Sequence, residues 1–434
     1  MTHTAKYTGP FDEPKNKHEL RDLQTRGLIW TVNHAFAGSS FYRKRFQEAG
    51  IIPDHIRSTD DIDKLPFTTA DDLRKDYPFP LLSVPYDSIV RIHSSSGTTG
   101  KRKILSYTAQ DIEDWTAFFS RCYRMAGVGP GDRVQIAVGY GLWTAGAGFQ
   151  AACERAGAMA IPVGPGNLEM QCQFLVDLRP NVLCCTSSMA LLLGEEINRR
   201  GIRDRVNIKT IIQGSERCSE SMRKTILALF GAEHIHDIVG MTELYGPGTG
   251  IDCPYHTGIH YWADYFILEI IDPDTLNPVR EGGIGEMVVT TLRKEGAPLI
   301  RYRTRDLTRT ISEKCPCGSV FPMHDRIMGR SDDMIIFRGV NIYPGQIDEI
   351  LSEVEEISSE YSIELERRDG KDFMLIKVER NPARTGNDRE TEDTIRQQIK
   401  QNIMVATDVK VVDYGSLPRS ERKSKRIFDR RWLP

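Results

Sequence analysis

Hydrophobic positions along the chain change their period in a regular way, and that rhythm predicts an architecture. In residues 20–50, Leu28, Ile29, Val32 and Phe36 fall at helical spacing, while Arg43, Lys44 and Arg45 read as an exposed face. Pro53 and the Asp60-Asp61 pair mark a linker, and Pro78, Pro80 and Pro85 a loop. Residues 89–93, Ile-Val-Arg-Ile-His, read as a strand. Then come helix 111–126, turn 129–132, strand 133–138, helix 146–156, strand 158–163, helix 168–178, strand 181–186, helix 188–200 and strand 209–213. Such alternation predicts a largely parallel, doubly wound sheet. Ligands of such sheets sit beyond the carboxyl ends of the strands. Residues 286–291 add another strand.

Past residue 330 the pattern changes. Ile347, Ile350, Leu351 and Val354 lie at i, i+3, i+4 and i+7, an amphipathic helix. Residues 361–365 and 373–378 flank Asp369-Gly370 and read as a hairpin with a longer connection. A second helix is expected at 391–403 and a strand at 408–412. The expected fold is α/β. A large N-terminal domain, residues 1–329, carries doubly wound mixed sheets. A small, mobile α+β C-terminal domain spans 330–434.

Composition narrows the classes. At 434 residues the chain exceeds one ordinary core. Hydrophobic content of 40% and charged content of 27% are those of a globular protein in water. A net charge of -3 argues against a nucleic-acid partner. No apolar run reaches the length of a membrane span, and residues 1–14 lack the apolar core of a signal peptide. Nine cysteines in a chain this long fit a reducing compartment, so the expected location is cytoplasmic.

Candidate chemistry centres on Ser94-Ser95-Ser96-Gly97-Thr98-Thr99-Gly100-Lys101-Arg102-Lys103. Glycines let backbone N–H groups approach a ligand, and hydroxyls with a lysine suit a polyphosphate. The spacing is not that of a P-loop, which needs four residues between its first Gly and the Gly-Lys pair. Four further segments follow in order: Val239-Gly240-Met241-Thr242-Glu243, Arg301-Tyr302-Arg303-Thr304-Arg305-Asp306, Gly329-Arg330-Ser331-Asp332-Asp333 and Pro418-Arg419-Ser420-Glu421-Arg422-Lys423.

These five segments resemble the motifs of the adenylate-forming (acyl-CoA synthetase) superfamily. Within it the chain is most similar to the phenylacetate-CoA ligases, on Gly139-Tyr140-Gly141-Leu142-Trp143-Thr144, Leu183-Cys184-Cys185-Thr186 and Arg338-Gly339-Val340-Asn341. The resemblance implies an AMP-forming ligase that joins an aryl or arylacetic acid to coenzyme A through an acyl-adenylate. ATP, Mg²⁺ and coenzyme A would be used, and a homodimer stays open. It places Ser95, Ser96, Gly97, Thr98, Thr99, Gly100 and Lys101 on the phosphates, Thr242 on the α-phosphate and Glu243 on Mg²⁺. It places Gly214, Ser215, Glu216, Asp237, Ile238 and Val239 around the nucleotide and Asp306 on the ribose hydroxyls. Arg330 would bind ribose or phosphate, Asp332 would be the hinge and Lys423 the catalytic lysine. Tyr140, Trp143, Ala145 and Gly214 would frame the acid. Three departures stand out: Val239 replaces the usual tyrosine, Arg422 replaces a frequent glycine, and Trp143 replaces a phenylalanine.

Cys253, Cys315 and Cys317, with a histidine, have the ligand count of a closed structural Zn²⁺ site. The alternative is reduced, unligated cysteines. His260 is preferred because related ligases carry a Gly-Leu-His segment there, and His256 is the fallback. Two other functions stay open: transfer of the acyl group to an acceptor other than coenzyme A, and a non-catalytic ligand-binding relative.

Overall fold

The computed structural model describes residues 13–431, apart from 76, 96–101, 217, 369, 382, 383, 385 and 418–425, and apart from the side chains of 341 and 359. Helices α1 (Lys17–Gly38) and α2 (Ser40–Glu48) open it. The Asn16 side chain accepts the Glu19 N–H and so starts α1. An antiparallel ribbon follows, β1 (Arg91–Ser94) with β2 (Ile104–Tyr107), Ser94 lying opposite Ile104. The sequence anticipates β1, two residues early, but not β2. Four residues are too few to display a period of their own.

The alternating part comprises α3 (Ala109–Met125), β3 (Arg133–Ile136), α4 (Thr144–Ala156), β4 (Met159–Ile161) and α5 (Leu168–Asp177), then β5 (Val182–Cys185), α6 (Ser187–Arg199), β6 (Thr210–Gly214), α7 (Glu220–Phe230) and β7 (His234–Met241). Its strands are parallel, in the order β4-β3-β5-β6-β7. Helices cover both faces. Cys184 and Ile212 point into a core with Phe118, Phe119 and Phe149 from α3 and α4, while Cys185 and Ile211 face Leu193 and Ile226 from α6 and α7. Adjacent residues on opposite faces are the period-two signature of a strand.

Beyond β7 the sheet turns antiparallel through β8 (Gly246–Asp252) and β9 (Ile259–Tyr261). A second, antiparallel sheet contains β10 (Phe266–Ile271), β11 (Gly285–Thr291) and β12 (Tyr302–Thr308). The short strands β13 (Thr310–Ile311) and β14 (Met323–His324) then finish the nine-stranded sheet beside β9, and β15 (Gly329–Arg330) closes the second sheet beside β12. Where β7 meets β8 the backbones are very close, and a Cβ on Gly240 would lie 2.2 Å from the Gly246 carbonyl oxygen.

The C-terminal part has its own core, with Phe337, Ile347, Ile363, Ile376, Ile395 and Ile399 at its centre. It contains β16 (Ile335–Phe337), β17 (Val340–Ile342), α8 (Pro344–Ser352), β18 (Ile357–Arg368), β19 (Lys371–Arg380), α9 (Asp388–Ile403), β20 (Asp408–Val412) and β21 (Ile427–Asp429). The β18–β19 hairpin corrects the expectation of short strands with a longer connection. The strands run on to Arg368 and Lys371, with Arg367 opposite Asp372 and ion-paired to it, through polar ends that an apolar pattern cannot show.

Candidate active site

A cleft of 2590 Å³ lies between the N-terminal body and the C-terminal lid. From the body, Gly214, Ser215 and Glu216 line it at the end of β6, and Asp237, Ile238 and Val239 line it along β7. Asp306 and Arg330 face it from the second sheet. These eight residues, up to 116 positions apart in sequence, meet at the carboxyl end of the parallel strands. Gly214 permits this packing, since a Cβ there would stand 2.4 Å from the Ile238 carbonyl oxygen.

Several of these side chains are already engaged. Asp237 binds Arg223 at 2.6 Å and Arg326 at 2.9 Å. Its burial still raises the carboxyl above its usual range, against the pull of Arg223. Glu216 accepts hydrogen bonds from the backbone N–H (3.1 Å) and hydroxyl of Ser188, leaving Oε1 buried without a partner among the described residues. Asp306 lies 3.0 Å from Arg330, and Arg330 also grips Asp332 through two bonds of 2.9 and 3.0 Å. Arg303 and Arg305 turn instead to Glu286. Residues proposed for ribose and hinge are thus joined by one guanidinium.

Thr242 and Glu243 sit beside this cleft, in a single helical turn, Thr242–Leu244, that follows β7 directly. The Tyr107 hydroxyl braces the turn by donating to the Tyr245 carbonyl (2.8 Å) and, more weakly, to that of Thr242 (3.3 Å). Glu243 is only 6% exposed. It accepts a hydrogen bond from the Tyr302 hydroxyl at 3.1 Å and forms an ion pair with Lys103. One buried carboxylate is the protein ligand Mg²⁺ takes beside phosphate oxygens and water, so the donor fits that ion. Below the turn lies Lys294, fully buried, its Nζ 3.8 and 3.9 Å from the ring centres of Tyr107 and Tyr245 and without a hydrogen-bond partner among the described residues.

Ser95 is described and exchanges two hydrogen bonds with Lys103, backbone N–H to carbonyl at 3.0 Å and backbone N–H to hydroxyl at 3.1 Å. Ser96, Gly97, Thr98, Thr99, Gly100, Lys101 and Lys423 lie outside the described residues. Of the residues expected around the acid, Ala145 and Tyr140 are partly buried against the main core. Tyr140 packs its ring over Gly146, where a Cβ would come within 2.4 Å, and its buried hydroxyl lacks a partner among the described residues. Trp143, at the start of α4, is 36% exposed and is not a core residue.

The thiols form a separate cluster. Cys253, His260, Cys315 and Cys317 bring one ligand atom each to within 4.8 Å of one another. His260 directs Nε2 at Cys317 (3.4 Å) while Nδ1 lies 3.0 Å from the Phe321 carbonyl. His256 bonds Asp252 instead, at 2.6 Å. Burial opposes ionisation of Cys315, yet the Thr257 hydroxyl, the Cys317 N–H and His260 outweigh it and bring the thiol down to about 6. Burial pushes Cys253 up to about 12. Three thiols and an oriented imidazole suit a tetrahedral Zn²⁺.

Sequence reasoning missed Lys103, Tyr302 and Lys294. A faint signal existed for the first, as the second lysine after the glycine loop. A buried lysine among charged neighbours gives none.

Cleft, turn and lid are the parts of a nucleotide-using ligase. Residues 40–292 match the AMP-binding enzyme family, and residues 339–431 match the AMP-binding enzyme C-terminal domain. The phenylacetate-coenzyme A ligase of Escherichia coli (strain K12) is 40% identical over 96% of this chain and 97% of its own. That of Thermus thermophilus is 36% identical over 97% and 99%. A crystal structure of 2-hydroxyisobutyryl-CoA ligase in the postadenylation state, bound to R3-HIB-AMP, superposes with a TM-score of 0.89 at 25% identity, covering 99% of this chain and 96% of that one. The same ligase with 2-HIB-AMP and CoA in the thioesterification state gives 0.71, so body and lid here are arranged closer to the postadenylation form. The chain belongs to the phenylacetate-coenzyme A ligase family of AMP-binding enzymes and is an AMP-forming acid–CoA ligase. Among the described residues no helix is long and apolar enough to cross a membrane.

Proposed function

We propose that the acid is an aryl or arylacetic acid and that the cleft between body and lid is where it meets ATP. The carboxylate attacks the α-phosphorus, and pyrophosphate leaves toward the glycine loop that begins at Ser95. The thiol of coenzyme A then attacks the acyl carbon and AMP departs. Glu243 and Thr242, braced by Tyr107 and Tyr302, act on the α-phosphate side. Mg²⁺ held by Glu243 would spread the negative charge that builds during attack. Asp306 accepts the ribose hydroxyls once Arg330 shares it, and Val239 packs on the base. Lys423 offsets charge as acid and phosphate meet, and rotation about Asp332 withdraws it before the thiol arrives. Tyr140, Trp143 and Ala145 line the flat acid pocket. Cys253, His260, Cys315 and Cys317 hold a structural Zn²⁺ away from the reacting atoms, and nine unpaired cysteines suit a cytoplasmic setting.

The observation that carries this reading is the convergence of Gly214, Val239, Asp306 and Arg330 on one cleft beside a buried Glu243. AMP release is the test, with ATP, Mg²⁺ and a panel of arylacetic, benzoic and short fatty acids, each with and without coenzyme A. Turnover is expected only with an aryl acid and coenzyme A together. Equal turnover on short fatty acids, or without coenzyme A, would sink it.

A further inference from the structure

Glu243 poses an electrostatic problem in the nucleotide-free enzyme. A carboxylate this deeply buried is costly unless a cation stands beside it. The cation present is Lys103, whose side chain is 16% exposed against 7% for Glu243, with Nζ in contact with Oε1. The lysine is placed with care. Its backbone is pinned to Ser95 by the two hydrogen bonds of 3.0 and 3.1 Å, so β1 and β2 fix it at the exit of the glycine loop. Only its side chain is left to turn. The remaining partner of Glu243, the Tyr302 hydroxyl, is neutral: burial and the nearby Glu243 charge raise that phenol well above its usual range. Lys294 lies over the rings of Tyr107 and Tyr245, apart from the carboxylate. Lys103 is therefore the counter-charge of Glu243 among the described residues.

We propose that Lys103 is a displaceable counter-ion that makes divalent-metal binding conditional on nucleotide. With no phosphate present, Lys103 occupies Glu243 and a divalent ion meets a neutralised carboxylate and a repelling ammonium. When a triphosphate enters, Lys103 turns onto its oxygens, and Glu243 is released for the metal that the triphosphate brings. Lys103 is in this sense a positioning residue, acting on the metal through Glu243. The inference rests on the reading of Glu243 as the metal carboxylate.

The test is Mn²⁺ binding to the full-length enzyme without nucleotide, followed by the electron paramagnetic resonance of free Mn²⁺ at pH 8. Lys103→Met is expected to bind Mn²⁺ at least about tenfold more tightly than the wild type, because the competing charge is gone. The gain should vanish in Lys103→Met/Glu243→Gln. Equal affinity in wild type and Lys103→Met overturns the proposal. So does a gain that persists in the double variant, since the ion would then lie elsewhere. A melting curve accompanies each variant, and where Lys103→Met fails to fold, Lys103→Gln carries the same comparison with a hydrogen bond to Glu243 retained. Glu243→Gln alone separates the two ideas. If it leaves AMP formation intact, the reading of Glu243 fails. If it abolishes AMP formation while Lys103→Met leaves Mn²⁺ affinity unchanged, only the counter-ion proposal fails.

Discussion

The thiol cluster and the Glu243 turn are the two metal sites proposed above, and they are assembled in opposite ways. At the first, four ligand atoms already stand within 4.8 Å, on β9, the residue after β8 and the 315–317 loop. Nothing is left for a substrate to supply. At the second, one carboxylate is present and its charge is matched by a lysine. On the proposed reading the remaining ligands come with the nucleotide and water. A closed set stabilises a fold, whereas an open set makes binding depend on substrate. Their surroundings agree with this difference. The cluster joins β9 to the 315–317 loop, with none of its four residues lining the cleft, and the turn sits at the end of β7 beside the cleft.

The sharpest way to break this contrast is Glu243→Gln. Acyl-adenylate formation should fall by about 10²–10³-fold, as for loss of a group that stabilises transition-state charge, with little change in melting temperature. A large loss of stability with activity retained would reverse the roles of the two centres. Replacing Cys315 and Cys317 by serine should do the opposite. Metal content measured by atomic absorption should drop, and urea unfolding should show a loss of about 2–4 kcal/mol, while folded enzyme keeps its kcat.

Lys294 sharpens the picture from beneath the turn, because this buried cation has ring faces rather than a carboxylate. Burial lowers it from 10.5 to about 8, against the pull of Asp111 and Asp114. Between about pH 8 and 10.5 the unfolded chain therefore holds more protons than the folded one, and stability from this group rises with pH across that window. The difference in unfolding free energy between wild type and Lys294→Met should shift in favour of the wild type by about 2–3 kcal/mol from pH 7.5 to 10.5. A flat difference would show that the amine is not titrating in the fold. The smallest effect is expected from Val239→Tyr. A ring on β7 stacks on adenine better than a branched aliphatic side chain, so the KM for ATP should fall about three- to fivefold.

Much of the fold was legible from pattern because helices and parallel strands write their periods locally. Helices 111–126, 146–156, 168–178 and 188–200 appear within a few residues of their expected ends, and Cys184 and Cys185 face opposite cores as alternation requires. The ribbon strand β2 and the full length of β18 and β19 were not legible, since short or polar strands carry no apolar period. At the site, the resemblance pointed to Gly214, Val239, Glu243, Asp306 and Arg330. It did not indicate that Asp237 would be held by Arg223 and Arg326, or that Trp143 would be partly exposed.

The sequence alone determined the inventory: a chain of two cores, phosphate-type and carboxylate-type ligands in a recognisable order, and enough thiols for one metal. Those properties depend on residue type and on neighbours within a turn or two. Only the tertiary structure decided which charges meet. It put Lys103 on Glu243 across 140 positions, gave Asp332 and Asp306 the same arginine, and brought His260 rather than His256 among the thiols. Such pairings are contacts between distant strands, and their energies depend on burial and distance, which no linear pattern contains.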